Sequence, residues 1–293
     1  RMRMDENDEN AAPSGGYAAV NLLVENNESD AEDYGSIIDA FNQDRKSIDR
    51  HVTQEAHEII ESDPELKNRK STVIYNPRWM KGIVGIVASR LIETYFRPTV
   101  VLTQSNGFAT GSARSVPGFD LYQAVESCAD LLENFGGHMY AAGLTMRPEN
   151  VGEFTRRFNA YVEENIDPQM LVPQVDVDAE LLFSEITPAF RRELKRFEPF
   201  GPGNAAPIFA TRSVSNRGDA KLVGAECEHL RMDLTQRQKP NTTLQCIAFQ
   251  QPEHFEWIRS GRPVDVCYQI VENHYRGTVS TQLRIKDIKR VEK

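Results

Sequence analysis

Two short stretches hold the residues whose types and spacing suit chemistry: GSARS (Gly111–Ser115) and FGGHMYAAG (Phe135–Gly143). In the first, Ser112 brings a hydroxyl, Arg114 a two-pronged cationic donor, and Gly111 a bare backbone amide. Together these are the groups that hold a phosphate. Taken alone, five residues with two small side chains and one arginine also suit a plain surface turn. In the second stretch, His138 stands between Gly136–Gly137 and Ala141–Ala142–Gly143. A lone histidine is more often structural than functional, but one framed by so little side-chain bulk marks a place where another backbone comes close. The local pattern predicts a helix ending at Phe135, with Gly136 as its left-handed C-cap, Gly137 keeping the exit tight, His138 on a loop, and Ala141–Gly143 opening a strand.

Those residues need a frame. From Lys70 onward strand and helix patterns alternate: strands at 71–75, 98–103, 108–115 and 140–146, and helices at 81–96, 119–135 and 150–166. This is a compact α/β domain. Before it, Tyr34, Ile37, Ile38, Phe41, Ile48, Val52, Ala56, Ile59 and Ile60 recur at helical spacing. They predict one long rod, capped by Asp30 and reaching Ser62, that links two globular bodies or lies as a surface helix on one of them. A shorter helix is expected at Tyr17–Val24, and residues 1–16 have a disordered composition. After a linker at 167–174 comes one short helix capped by Thr187 with Pro188 in its first turn. Six strand-like runs then fill the chain from Pro207, which suggests a small OB-like β-barrel. The expected division is a segment 1–66 with the acidic N-terminus and connector helix, an α/β domain at 67–168, a linker with a short helix at 169–206, and a barrel at 207–293.

The net charge of −9 over 293 residues is unevenly spread. Residues 1–66 hold 17 acidic and 5 basic side chains, whereas 67–293 hold 26 and 29. The globular part is therefore mildly basic, which permits a polyanionic ligand. The basic run RRELKR (Arg191–Arg196) is a candidate DNA contact, with a solvated helix face as the plainer account. Four cysteines without CxxC spacing argue for reduced thiols and against a structural zinc. No apolar run reaches the ~18–20 residues of a membrane span, and no secretory signal pattern is present, so a cytoplasmic protein is expected.

FGGHMYAAG resembles the GGHxxAAG motif of the DHHA1 domain of DHH-type phosphoesterases. GSARS resembles the motif that precedes it in RecJ-type single-stranded-DNA exonucleases. GIVGIVASRL (Gly82–Leu91) followed by RPTVVL is similar to a helix and strand of the same domain, and FEPFGPGNAAPIF (Phe197–Phe209) to the segment leading into the RecJ OB-fold. AAVNLL and the long helix resemble the RecJ connector. The resemblance implies a fold of connector helix, mixed-sheet α/β DHHA1 domain and OB-like barrel. It implies a bacterial 5′-to-3′ exonuclease of DNA repair and recombination whose two divalent metals (Mn or Mg) sit in a separate DHH domain that this sequence does not contain. Neither a metal site nor a cofactor is expected in this chain, which alone would be inactive. Carried over by motif, Gly111, Ser112 and Arg114 would bind phosphate near the 5′ end. His138, supported by Gly136 and Gly137, would reach the phosphate at the metal site, and Ala141, Ala142 and Gly143 would keep the cleft wall flat. The implied partners are single-stranded DNA, the DHH domain, and a single-strand-binding protein or helicase. The barrel would grip the strand by a basic groove and by stacking, with Phe249, Trp257, Tyr268 and Tyr275 available, core packing being the plainer account of each.

One position departs from the pattern. Relatives usually have Trp-His before the glycine of the GIVGIVASRL helix, and here the pair is Trp79–Met80. A thioether neither donates a strong hydrogen bond nor carries a proton, so Arg78 or Lys81 would have to substitute. Two other functions stay open at this stage: a catalytically silent single-strand-binding relative, and a phosphodiesterase for short oligonucleotides or cyclic dinucleotides. The strand-rich tail argues against the second of these.

Overall fold

The structure, a computed structural model, describes residues 15–236, 239–275 and 277–291. The chain divides into two compact units between Pro173 and Gln174.

The first unit begins with a helical hairpin, α1 (Gly15–Val24) and α2 (Glu28–Ser62). At 35 residues, α2 is about 50 Å long. Its cap is Asn27, whose side chain accepts from the Ser29 N–H, and not Asp30 as the sequence suggested; Asp30 lies in the first turn, where a negative charge suits the helix dipole. The short α3 (Pro64–Asn68) follows, capped by Asp63. Then come β1 (Thr72–Tyr75), α4 (Val84–Tyr95), β2 (Thr99–Ser105), β3 (Phe108–Arg114), α5 (Leu121–Glu126), β4 (Leu132–His138), β5 (Ala141–Met146) and α6 (Val151–Asn165). The sheet order is β1-β2-β3-β5-β4. β1 and β2 are parallel, and the remaining pairs are antiparallel.

Side chains alternate across this sheet, and each face has its own core. Val100, Leu102, Ala113, Ala142 and Leu144 point toward α5 and α6 and pack with Phe154 and Phe158. Ile74 and Val101 point the other way, toward Val84, Val87 and Leu91 of α4 and Val52, Ala56 and Ile60 of α2. A half-buried ion pair ties those two helices together: the buried Asp49 receives both Nε (3.1 Å) and Nη2 (2.8 Å) of Arg90. Because α4 lies over β2 and β3, the β5–β4 half of this face is left open, and Gly136, His138 and Gly143 are exposed there.

The predicted helix at 119–135 is not formed as such. α5 stops at Glu126, a 3-10 turn covers Ala129–Leu131, and the chain from Leu132 runs as β4. Leu131, Leu132 and Glu133 favour helix, but the ladder with β5 overrides them, setting Phe135 opposite Leu144 and against the core. Gly136 is therefore a strand residue and not a helix cap, and His138 ends a strand instead of standing on a loop.

The second unit contains β6 (Ala179–Glu180), α7 (Pro188–Lys195), β7 (Phe209–Asn216), β8 (Lys221–Val223), β9 (His229–Gln236), β10 (Lys239–Ala248), α8 (Phe255–Arg259), β11 (Val264–Tyr275) and β12 (Thr278–Arg290). Thr187 caps α7 through the Phe190 N–H, with Pro188 behind it, as the sequence predicts. Strands β7, β11, β12, β10 and β9 close into a ring through the β7–β9 pairing, with β10 and β12 parallel. This is the OB-like barrel that was expected, its interior filled by Val214, Leu230, Met232, Leu234, Tyr268 and Leu283. All six strand-like runs form strands. The turn of helix at α8 was not anticipated, since five residues are too few for a periodic signal.

Candidate nucleic-acid interface

Strand register brings the two motifs together. Arg114 of β3 lies opposite Ala141 of β5, and Ala141 lies opposite His138 of β4. One step along, Ser112 lies opposite Gly143, which lies opposite Gly136. Directly opposed residues share a face, so these six form two adjacent rows that run from β3, beside α4, onto the open β5–β4 half of the sheet. Arg114 and His138 stand at the ends of one row, with Ala141 between them. Ser112 ends the other, beside two glycines.

The four glycines of the motifs have two different reasons to be glycine. A Cβ on Gly111 would sit 2.0 Å from the Val101 carbonyl oxygen, and one on Gly137 would sit 2.2 Å from that of Ala141. By register both lie on the face that carries Ala142 and Leu144, with Gly137 exposed at its edge, and neighbouring strand backbone leaves no room for a side chain at either. On the open side, a Cβ on Gly136 would meet nothing within 4 Å, and one on Gly143 nothing nearer than the Gly111 carbonyl oxygen at 4.0 Å. Packing within this unit does not require either to be glycine. They keep a floor bare.

Hydrogen bonds hold the chemistry in place. The turn after β4 is fastened to the chain that follows β3: Ser115 N–H donates to the Tyr140 carbonyl (3.0 Å), and Leu121 N–H to the Met139 carbonyl (3.1 Å). The Tyr140 N–H donates to His138 Nδ1 at 3.2 Å. With Nδ1 accepting, the neutral imidazole carries its proton on Nε2, which becomes the donor offered to a ligand. Arg114 donates Nη1 to its neighbour's carbonyl, Ala113 O, at 2.9 Å. No ion pair engages Arg114 among the described residues, so its charge is available.

The N-terminus of α4 is the wall beside this floor. A Cβ on Gly85 would stand 3.2 Å from both Arg114 Nη2 and Ser112 Oγ, so this glycine lets the helix pass close to them. No side chain caps α4, which leaves its first amides and the positive end of its dipole to favour an anion. Met80, 46% exposed, lies in the turn before α4. The adjacent Trp79 is buried and donates Nε1 to Glu55 of α2 at 2.7 Å.

The barrel offers a second surface. Arg231, Ile247, Arg284 and Gln269 form a row across its outer face on β9, β10, β12 and β11. Phe249, just past β10, is 45% exposed. His229 meets its ring edge-on at 4.9 Å, and the Arg284 guanidinium lies 5.8 Å from its centroid. An exposed ring flanked by cationic and planar groups is a stacking platform.

The family model of the DHHA1 domain matches residues 68–164, and that of the RecJ OB domain matches residues 177–287. The single-stranded-DNA-specific exonuclease RecJ of Bacillus subtilis is 31% identical over 272 residues, 92% of this chain and 34% of that protein. The RecJ of Escherichia coli K12 is 31% identical over 282 residues, 92% of this chain and 47% of that protein. The chain carries a DHHA1 domain and a RecJ OB domain. Crystal structures of Thermus thermophilus RecJ with Mg2+ and with Mn2+ superpose with TM-scores of 0.72 and 0.73 at 26% identity. They cover 94% of this chain and 41% and 39% of theirs. The chain thus spans about a third to a half of the curated relatives it matches.

Within the DHHA1 domain, the register unites Ser112, Arg114, His138, Gly136, Ala141 and Gly143 on one face. Ala142 is buried on the other face, as Gly111 and Gly137 are turned that way. Gly85, Ser115 and Tyr140 were missed in the sequence; the signal for Gly85 was a glycine inside an apolar helical pattern. In the RecJ OB domain, Tyr268 is not a stacking residue. It is fully buried, bonded to Thr211 at 2.7 Å, and its phenol is pushed up to about 12 by burial. Trp257 packs against the core between Arg262 and Arg290. The side chain of Tyr275 lies outside the described residues. Among the described residues there is no group of three or more His, Cys, Asp or Glu placed to hold a metal ion, and no helix is long and apolar enough to cross a membrane.

Proposed function

We propose that this chain is the substrate-holding part of a cytoplasmic bacterial 5′-to-3′ single-stranded-DNA exonuclease of DNA repair and recombination. The observation that carries this reading is the row Arg114–Ala141–His138 beside a floor of two glycines that packing does not explain. A nucleic-acid backbone is the partner that suits such a surface: flat, anionic, and needing close approach.

Each residue then has a task. Arg114 offers guanidinium N–H groups to a phosphate near the 5′ end, Ser112 adds a hydroxyl donor, and the uncapped α4 supplies a favourable field. His138 donates from Nε2 to a phosphate oxygen and is held in that tautomer by the Tyr140 N–H. Gly136, Ala141 and Gly143 admit the backbone, while Gly111, Gly137 and Ala142 keep the strands close enough to build the floor. Phe249, Arg284 and Arg231 take further nucleotides of the strand on the outer face of the barrel. Divalent metals, Mn or Mg, would be held by a separate DHH domain and not by this chain; bound there, they would supply an activated water and charge neutralisation at the scissile phosphate. A single-strand-binding protein or helicase would deliver the strand.

Met80 favours a second reading, a relative that binds single strands without cutting them, because it stands where RecJ-type sequences usually place a histidine. Fluorescence anisotropy with labelled single strands bearing a 5′-phosphate or a 5′-hydroxyl tests the binding role. Tighter, salt-sensitive binding of the phosphorylated strand that Arg114→Ala weakens is the expected result. Equal binding of both ends, unmoved by Arg114→Ala, would remove the end-binding role. Metal-dependent degradation assayed with the full-length protein separates the cutting relative from the silent one.

A further inference from the structure

The segment Phe197–Phe209 has no part in the surfaces described so far, yet it is built with care. Asn204 Nδ2 donates to the carbonyls of Phe197 (2.8 Å) and Pro199 (3.0 Å), and Gly201 and Asn204 exchange backbone hydrogen bonds of 2.8 and 3.0 Å. Gln269 Nε2 pins the end of the loop by donating to the Ala206 carbonyl at 3.1 Å. The loop so fixed is one wall of a cleft of about 300 Å³, and α7 and strands β11 and β12 are the others. That volume is at the small end for ligand sites, which are apolar with a few convergent polar groups. Here Leu194, Phe200, Pro207 and Val271 supply apolar lining, and Arg191, Gln269 and Thr281 the polar groups.

Two features say what fits. Arg191 donates Nη1 to Thr281 Oγ1, but among the described residues its Nε is buried without a hydrogen-bond partner, and the Gln269 side chain keeps its oxygen to accept. A ligand with both donors and acceptors on one plane answers these groups. The charges, in turn, argue against an acidic ligand. Lys195 is held by Glu272 at 3.0 Å, and Glu198 also lines the cleft, so its two cations meet two carboxylates. An acidic peptide tail or a bare phosphate gains little there, whereas a neutral heteroaromatic ring does not depend on net charge. The position is also telling. Gln269 lies directly opposite Arg284 across the β11–β12 ladder, one strand spacing of about 4.8 Å away, and Arg284 is the partner of Phe249.

We propose that this cleft receives one nucleobase of the single strand that crosses the outer face of the barrel, next to the base stacked on Phe249. The proposal rests on the single-stranded-DNA reading given above. It assigns to the Phe197–Phe209 loop and to α7 a role in reading or gripping a base, where the Phe249 platform stacks any base without discrimination.

The test uses the 293-residue chain with ¹⁵N-labelled side chains, free deoxynucleosides, and a labelled single strand of about 12 nucleotides, within the span that OB domains cover. Deoxynucleosides and the strand should both shift the Arg191 Nε and Gln269 amide resonances. Val271→Phe, which fills the cleft, should abolish those shifts and weaken strand binding about tenfold without lowering Tm. Arg191→Gln serves as a second variant should the first disturb the barrel. Phe249→Ala should weaken strand binding yet leave the deoxynucleoside shifts intact. If the strand binds and the cleft resonances stay still, the proposal is overturned and the DNA reading stands. If the strand fails to bind while deoxynucleosides still shift the cleft, the DNA reading falls and the nucleobase site remains. If neither binds and an acidic peptide with an apolar carboxyl terminus moves the same resonances, the cleft serves a protein partner and the proposal is wrong.

Discussion

Arg114 and His138 lie on either side of Ala141, each directly opposite it in its own antiparallel ladder. Two strand spacings, about 9–10 Å, separate their backbones. That distance suits two groups reaching for neighbouring phosphates better than two groups sharing one oxygen.

Arg114→Ala should therefore remove one phosphate contact without disturbing the fold. Its charge-assisted hydrogen bonds are worth about 1.5–3 kcal/mol, so affinity for a 5′-phosphorylated strand should fall roughly tenfold or more. The slope of log affinity against log salt should drop by about 0.7. Anisotropy titrations at several salt concentrations read both quantities. An unchanged slope would mean that Arg114 does not touch phosphate.

The four motif glycines should separate into two pairs. Alanine at Gly111 or Gly137 forces a side chain into neighbouring backbone and should cost stability by about 1–3 kcal/mol or more, visible in a urea melt. Alanine at Gly136 or Gly143 meets open space; it should leave the melt unchanged or raise stability by about 0.5 kcal/mol, while weakening strand binding. A loss of stability at Gly136 with no loss of binding would contradict the bare-floor argument.

Phe249→Ala should lower single-strand affinity by about 1–3 kcal/mol with little effect on Tm. Tyr268→Phe should do the reverse: it deletes a buried hydrogen bond to Thr211, costing about 1 kcal/mol of stability, and leaves binding intact.

His57 provides a pH test of how α2 is docked. It lies beside Tyr95 of α4, with Nδ1 3.1 Å from the phenol oxygen, and burial lowers its pKa from 6.5 despite the nearby Glu61. The unfolded chain then binds this proton more readily than the folded one. Stability should fall as pH drops through 6.5 and level off below the folded value. Urea melts between pH 7.5 and about 5 measure this slope, and His57→Gln should reduce it.

Much of this architecture was legible from the pattern alone. The long helix, β1 to β3, β5 and all six barrel runs follow from apolar periodicity, and Thr187–Pro188 announces α7. The failure at 119–135 has a definite cause: Leu131, Leu132 and Glu133 are helix formers by propensity, and nothing local records that β5 lies alongside with an unpaired edge. The same non-local pairing decides the interface. Sequence reading grouped nine residues by motif, but the alternation of a sheet divides them, so that Gly111, Gly137 and Ala142 turn toward the core. Register can sort them, whereas spacing along the chain cannot. The sequence leaves Tyr268 open for the same reason, since an aromatic on a barrel strand faces in or out according to a register that short alternating runs do not state.

β4 is also the last strand of its sheet. An outer strand with bare backbone is a template on which a second chain can add itself, and proteins generally block such edges. Here the defence is weak cohesion: a register shift between Leu132 and Asn134 breaks the ladder, and two glycines offer no side chains for a stacked neighbour to grip. Replacing Gly136 with a β-branched residue would therefore do more than roughen the floor. It would give the strand the β-propensity of an aggregation seed, and the resulting protein should form oligomers at concentrations where the parent stays monodisperse in light scattering.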